Sequence, residues 1–375
     1  MSHRHPRLAY GGVALAAYML LVRHMRYRRI RKMQAKYPDP TIPLRDHAIA
    51  KEVLATAVNW DFPYMAEVAL EFALFKTYAV PTISKILAAT QQFSKEVGKR
   101  AEDTGLILME ITQGYARSQK RIATTGVDSP EARAKDEYRA FVATERLNFI
   151  HSHYPIKQED FLYTLALFIK EPHSFIDQYE WRPLTELECN AYFAAWRRIG
   201  EDMNIENIPD SYEGVKIWAE EYERKNSVFA KSNVTIADQT VGHLLSRAPA
   251  FLHPFGRLVV ASLLTPSLRR AFGYNEPPKS VYYTVHAFLQ IRRLIIKYLM
   301  LPRRTTRVRS PLDVNEFGRY VPTFNKYAPV YKDGYRIEDL GPTKFLGKCP
   351  VSFHPSGITP PHDLPSTHPV PVQKE

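Results

Sequence analysis

Apolar residues recur at helical spacing along most of the chain. Between about residues 46 and 301 they return every three or four positions, and few stretches alternate as strands do. Several segments begin at residues typical of helix N-termini, such as Pro81, Asp160 and Thr185. The pattern predicts one all-α domain, without internal repeats and large enough to enclose a ligand. The predicted helices are 47–58, 64–78, 81–97, 100–114, 132–152, 159–170, 185–202, 212–226, 235–247, 254–263 and 280–300.

The N-terminus combines an uncharged apolar stretch with a basic run. Residues 8–22 carry no charge, whereas residues 1–38 contain nine Lys and Arg and no acid. Fifteen helical residues extend over about 22 Å, which is short of the ~30 Å of a bilayer core. The flanks predict a short transmembrane signal anchor over 8–22 with the C-terminal side in the cytosol. A mitochondrial presequence is the alternative, because the region is rich in arginine and free of acids.

The composition changes after residue 301. Twelve of the 28 prolines lie in residues 301–375, and seven of these lie in 350–371. The absence of periodicity predicts an irregular Pro-rich C-terminal tail that is extended or lies over the domain. The sequence is therefore divided into an anchor with its basic flank (1–38), a helical domain (39–305) and a tail (306–375).

The net charge of +12 is unevenly distributed. Residues 1–38 hold nine basic side chains and residues 292–309 hold seven, so the remainder of the chain has a net charge of −4. A nucleic-acid partner is disfavoured, because its binding usually needs basic residues spread over a folded face. Two cysteines, Cys189 and Cys349, exclude a disulfide scaffold and a Cys-rich zinc site.

Residues 281–301 form a second candidate for membrane contact. Arg292, Arg293 and Lys297 lie on or beside the side opposite the apolar one. One interpretation is a terminal helix that packs on the core with a solvated basic edge, and the other is an interfacial helix that docks on anionic headgroups. The two can coexist. The apolar face comprises Val281, Thr284, Val285, Phe288, Ile291, Ile295, Tyr298 and Leu299.

Most motifs of familiar enzymes are absent from the sequence. It contains no Gly-rich phosphate loop, no GxGxxG after a strand, no HExxH, no GxSxG and no CxxC. Hydrolases, kinases and nicotinamide-dependent enzymes are therefore disfavoured. The remaining candidates for chemistry are histidine and arginine side chains in helical context.

His151 lies on the apolar stripe of the predicted helix 132–152, with Thr144, Leu147 and Ile150. Its spacing points the imidazole inward, whereas His153 lies about 200° round the helix and points away. An inward histidine can be a hydrogen-bonded core residue. It can also be the single axial ligand of a haem, because neutral imidazole suits iron. The spacing alone leaves both open.

Arg100 and Thr104 are four residues apart and share one face of the predicted helix 100–114. The apolar run that follows places this helix in the core, where an arginine needs an acidic or anionic partner. That partner can be an internal carboxylate such as Glu71. Alternatively, the pair belongs to a polar cluster beside a cofactor.

Several stretches together resemble one known family. They are ALEFALFKTYAVPTISKIL, KRAEDT, RLNFIHSHY, DFLYTLALFIKEPHSFIDQYEWRPLT and NVTIADQTV, and they span roughly residues 20–305. In order and spacing they resemble the fungal ER-bound oxygenases of the mycophenolic-acid type, within the larger family of latex clearing proteins (rubber oxygenases). The apolar N-terminus followed by RYRRIRK also resembles the fungal branch.

The resemblance implies an all-α fold that encloses a non-covalently bound haem b. His151 matches the axial ligand of the iron, which makes it the cofactor-binding and metal-binding residue. Arg100 and Thr104 match the polar pair of the distal side and are the expected catalytic residues. The rubber oxygenases have a lysine immediately before that threonine, whereas this chain has Asp103. The distal side of the haem is therefore expected to differ.

The implied reaction is cleavage of an isoprenoid C=C bond by O2, with a lipophilic, prenylated secondary metabolite as substrate. The implied location is the ER membrane, with a single span and a cytosolic catalytic domain, and mitochondria are the alternative. The membrane partners would be the N-terminal helix and the basic helix 281–301. Two other functions remain open: a non-catalytic, membrane-anchored protein that binds a hydrophobic ligand, and a hydroxylase or other redox enzyme on the same scaffold.

Overall fold

The computed structural model describes residues 5–349, which fold mainly into α-helices. The predicted all-α class is confirmed, since these residues contain no β-strand and only one isolated antiparallel bridge, between Tyr320 and Tyr335. Residues 350–375 of the predicted tail lie outside the described residues. The helices are α1 (His5–Lys36), α2 (His47–Thr56), α3 (Pro63–Thr77), α4 (Pro81–Ala89), α5 (Gln92–Thr112), α6 (Gly114–Thr125), α7 (Pro130–Ser152), α8 (Gln158–Tyr179), α9 (Glu186–Asp202), α10 (Tyr212–Asn226), α11 (Lys231–Leu245), α12 (His253–Leu263), α13 (Pro266–Ala271) and α14 (Lys279–Tyr298).

Side chains at the helix ends explain where several helices begin. The Asp46 carboxylate accepts hydrogen bonds from the amides of Ala48 and Ile49, in the first turn of α2. Thr185 forms a reciprocal capping box with Glu188 at the start of α9, as its position in the sequence predicts. Pro63 and Pro81 occupy first-turn positions, where their missing N–H leaves no helical hydrogen bond unmade.

Several helices differ from those that the pattern predicts. The predicted helix 81–97 is divided between α4 and α5, because Gln91 has a left-handed backbone with φ of 57°. Helix α8 continues through Pro172 to Tyr179, and the burial of Phe175 in this last part offsets the hydrogen bond that proline cannot donate. The apolar pattern does not predict α6, because its sequence is mostly charged and polar.

The apolar stretch 8–22 and most of the basic run that follows form one continuous helix, α1. In the described part of the chain, no helix combines the length and the apolar content needed to cross a membrane. The transmembrane span expected over 8–22 is therefore not found. The uncharged stretch has fifteen residues, fewer than the roughly 20 that usually span a bilayer.

The chain divides into two compact units. The first comprises Met1–Glu102 and His151–Arg307, and the second comprises Asp103–Ile150 and Val308–Glu375. In the first unit α3 packs on α8, α2 on α9, and α4 on α11. Its largest fully buried side chain is Trp181, which contacts the rings of Tyr27 and Phe62.

Buried ion pairs also stabilise the first unit. Lys76 of α3 lies 2.7 Å from Glu171 and 3.0 Å from Glu223. Arg182 pairs with Glu188 and with Asp61. Because each buried charge has an opposite partner and hydrogen bonds, these groups avoid the large cost of an isolated buried ion.

In the second unit, residues from the predicted tail enclose a buried carboxylate. Glu110 of α5 is fully buried and accepts two hydrogen bonds from Arg139 of α7, at 2.6 and 2.9 Å. Arg117, Ser310 and Tyr335 also donate to it or pair with it. Residues 308–349 are irregular in backbone, yet they supply buried side chains to this unit.

Candidate functional site

His151 lies in the last turn of α7 and belongs to the first unit. Its Nδ1 is shielded from solvent and has no hydrogen-bond partner. Burial, and in addition the positive charge of Arg100, lowers the pKa of the imidazole to about 4. The ring is therefore neutral at physiological pH. His153, two residues further on, is exposed, as the helical spacing predicts.

The first turns of α8 supply an aromatic neighbour for this imidazole. The ring of Phe161 lies 5.3 Å from that of His151, measured between centroids. The chain reverses between the two helices, where the amide of Tyr154 donates a hydrogen bond to the carbonyl of His151 at 3.0 Å. The contact with Phe161 provides no hydrogen-bond partner for Nδ1 of His151.

Arg100 of α5 is half-buried, and its charge acts on two half-buried aromatic residues of the first unit. It contributes to the low pKa of His151. Burial raises the pKa of Tyr78 to about 12, and the charge of Arg100 opposes that rise. The centroid of the Tyr78 ring lies 5.5 Å from that of Phe93, at the start of α5. The charge of Arg100 thus acts on both an imidazole and a phenol.

Thr104 lies one helical turn after Arg100 on α5, but it belongs to the second unit. It is half-buried. Its neighbour Asp103 is buried and accepts a hydrogen bond from the hydroxyl of Tyr331. Asp103 is therefore joined by a hydrogen bond to the C-terminal segment.

His151 fits the requirements of a haem ligand. Among the described residues, no group of three or more His, Cys, Asp or Glu side chains could hold a metal ion. A haem iron needs no such group, because the porphyrin supplies four nitrogens and one neutral imidazole completes the protein ligation. The neutral ring and the unpartnered, buried Nδ1 of His151 match this requirement.

Two neighbours of this site are not predicted from the sequence. Tyr78 and Phe161 lie in apolar helical stretches, where an aromatic side chain indicates only a core position. The phenol of Tyr78 is linked to the site through the charge of Arg100. Tyr78 lies three residues before Pro81, at the break between α3 and α4.

A family model described as "ER-bound oxygenase mpaB/B'/Rubber oxygenase, catalytic domain" matches residues 61–294. This range includes Arg100, Thr104 and His151. It also covers more than half of the chain, so the match bears on the helical body as a whole.

Similar proteins are known from Penicillium. An ER-bound oxygenase mpaB' of Penicillium brevicompactum is 30% identical over 389 residues, covering 89% of this chain and 88% of that protein. An ER-bound oxygenase mpaB of Penicillium roqueforti (strain FM164) is 34% identical over 284 residues, covering 70% of this chain and 89% of its own. An ER-bound oxygenase mpaB of Penicillium brevicompactum is 30% identical over 310 residues, covering 77% of this chain and 68% of that protein.

Proposed function

The chain belongs to the family of ER-bound mpaB-type oxygenases and rubber oxygenases and is an oxidoreductase, and we propose that it is a haem-dependent oxygenase. In this proposal it uses haem b and O2 to cleave a C=C bond in the isoprenoid side chain of a lipophilic secondary metabolite. The observation that carries the proposal is the neutral imidazole of the half-buried His151, whose Nδ1 is shielded from solvent and has no hydrogen-bond partner.

We assign His151 as the axial ligand of the haem iron. When bound, the haem supplies the binding and reduction of O2, which amino-acid side chains do not perform. The pKa of about 4 keeps the imidazole unprotonated, so the ligand needs no deprotonation at physiological pH. Phe161 holds one side of the ring against an apolar surface.

We assign Arg100 and Thr104 as the residues that supply positive charge and a hydrogen bond during the reaction. The guanidinium of Arg100 carries a permanent positive charge near His151, which suits a carboxylate such as a haem propionate, or negative charge that develops on oxygen. The hydroxyl of Thr104 can donate one hydrogen bond. These roles follow from the family pattern and from the position of both residues on α5.

Attachment to a membrane fits a lipophilic substrate, because a prenylated molecule partitions into the bilayer. The relatives are named as ER-bound, and residues 10–18 of α1 are exposed all round the helix. We propose that this half of α1 associates with the ER membrane and that the catalytic domain lies on the cytosolic side, where the basic flank directs it.

Product analysis under labelled O2 tests the reaction. The haem-loaded, full-length protein is incubated with an aromatic compound that carries a farnesyl chain, under ¹⁸O₂. Cleavage breaks the C=C bond and gives two carbonyl fragments, each with one atom from the same O2. The matched control carries the saturated chain, which has no bond to cleave and should remain intact.

Other outcomes would contradict the proposal in different ways. An intact product with one added labelled oxygen would indicate a hydroxylase. Tight binding of the farnesyl compound without consumption of O2 would indicate a binding protein. In the cleaving enzyme, Arg100→Gln and Thr104→Val should each reduce kcat by about a hundred- to a thousand-fold, the range seen when one donor to a developing charge is removed.

A further inference from the structure

Three elements of the first unit form a neighbouring set with exposed apolar side chains. Helix α14 packs against α1 and against α12, and the short 3₁₀ helix Ala250–Leu252 leads directly into α12. No residue of α14 is fully buried. A helix of this length that is rich in apolar residues usually buries its apolar side. We name the exposed apolar part of these elements the α12–α14 face.

Apolar side chains of α14 lie both on the side that packs on the core and on the side that is exposed. Leu289 and Ile296 pack, partly buried, against the core cluster that contains Trp181. On the inward side the guanidinium of Arg292 also pairs with the buried Glu180 at 2.9 Å. Five large apolar side chains of α14 are exposed to solvent on the other side. They are Tyr283, Phe288, Ile291, Leu294 and Ile295.

The turn before α12 extends this face. Phe251 is 79% exposed, and Leu252 and Phe255 are exposed beside it. On the other flank, α1 is tied to the end of α14, because the hydroxyl of Tyr18 donates to the carbonyl of Leu299 and the Arg26 guanidinium donates to the carbonyl of Met300. The face is therefore continuous with the exposed half of α1.

Charge selects what can cover this surface. Residues 5–36, 250–263 and 279–298 contain no aspartate or glutamate, although they contain many arginines and lysines. An excess of positive charge does not favour a protein partner whose surface carries both signs of charge. It does attract anionic lipid headgroups. Aromatic side chains and basic residues beside an apolar band are typical of a surface that lies in the membrane interface.

We propose that the α12–α14 face inserts into the interfacial region of an anionic bilayer. It would form a second membrane contact besides the N-terminal half of α1. The apolar side chains enter the boundary between headgroups and acyl chains, and basic side chains such as Arg293 contact the headgroups. This contact needs no membrane-spanning helix and holds the first unit against the membrane surface. It is independent of haem and of the oxygenase reaction.

Local tryptophan probes test the contact in the full-length protein. Phe251→Trp and Phe288→Trp place a probe in the face, and Ile217→Trp on α10 is the matched control. Ile217 is similarly exposed, and α10 packs on α8 and α9, away from α14. The emission of each variant, minus that of the parent protein, is recorded with vesicles of phosphatidylcholine and phosphatidylserine, with and without bromine on the acyl chains.

We expect blue-shifted emission and at least about twofold quenching by brominated lipid at positions 251 and 288, and neither effect at 217. Pure phosphatidylcholine should reduce the effect several-fold. Unchanged emission on protein that co-sediments with the vesicles would overturn the proposal, and so would a complete lack of vesicle binding. A blue shift that appears without lipid as protein concentration rises would assign the face to a second copy of the chain. Phe255→Trp replaces either probe that misfolds, as judged by circular dichroism.

Discussion

The charge of Arg100 on α5 reaches the imidazole of His151 at the end of α7, and adds to burial in lowering its pKa to about 4. The two residues are 51 positions apart in the sequence. Their proximity means that the proposed iron ligand and a proposed catalytic residue are electrostatically coupled before any cofactor binds. A neutral imidazole is the form that ligates iron, so the coupling favours haem binding over a wide range of pH.

Removal of the charge at position 100 should raise the pKa of His151. In Arg100→Gln the pKa should rise only part of the way towards the ordinary 6.5, because burial is the larger cause and remains. Arg100→Lys is the matched control, since it keeps the positive charge and should leave the pKa low. NMR titration of ¹⁵N-labelled imidazoles in the haem-free protein measures it. Equal pKa values in the two variants would contradict the coupling.

The buried carboxylate of Glu110 should be essential for the stability of the second unit. Glu110→Gln removes the closest counter-charge of Arg139 and leaves Asp136 as the carboxylate that still lies near both buried arginines, so it should lower the free energy of unfolding by up to about 3–5 kcal/mol. Glu137→Gln, the same chemical change at an exposed position of α7, should cost less than about 0.5 kcal/mol. Urea unfolding measures both. A similar small loss in the two variants would show that the cluster contributes little.

The same carboxylate should contribute to acid unfolding. Burial alone would raise the pKa of Glu110, but Arg117 and Arg139 lower it to about 2. Its ordinary value is 4.5, so the unfolded state binds more protons between pH 4.5 and 2, and stability falls as the pH falls through this window. Glu110→Gln should therefore have a flatter stability profile below pH 4.5 than the parent protein. Parallel profiles would contradict the low pKa.

His173 of α8 should make stability depend on pH in a higher window. Burial lowers its pKa to about 4, and its ring stacks on that of Tyr212 with centroids 4.2 Å apart. Between pH 6.5 and 4 the unfolded state binds the additional proton, so stability decreases as the pH falls. His173→Phe keeps the stack but cannot titrate.

We expect His173→Phe to reduce the loss of unfolding free energy between pH 6.5 and 4 by about 2–3 kcal/mol. His153→Phe, at an exposed position, is the matched control and should leave the profile unchanged. Denaturant unfolding at several pH values measures both variants. A profile of His173→Phe that coincides with the parent profile would exclude this histidine as the source.

Local features of the sequence predict much of the fold. The helix ends at Thr185 and Pro81 follow from caps and proline positions, because these act within a few residues. The placement of His151 on the inward stripe of α7 follows from helical spacing in the same way. Periodicity carries this information because it depends only on which residues share one side of a helix.

Long-range pairings are not contained in local patterns. Glu110 and Tyr335 lie 225 positions apart, and nothing beside either residue indicates that they form a hydrogen bond. The spacing in α14 leaves open whether its apolar face points inward or outward, and the inward salt bridge of Arg292 with Glu180, which joins two distant segments, is not indicated by any local pattern. In both cases a contact between buried charged groups depends on residues far apart in the sequence.

The absorption spectrum of the purified protein tests the central claim most directly. The full-length protein, supplied with haem and recorded in the oxidised and dithionite-reduced states, should show a Soret band that shifts on reduction. His151→Ala should lose the bound haem or this spectrum, whereas His153→Ala, at the exposed neighbour on the same helix end, should retain both. Absence of a Soret band from the loaded parent protein, or equal spectra of the two variants, would contradict the assignment of His151 as the ligand of a haem iron.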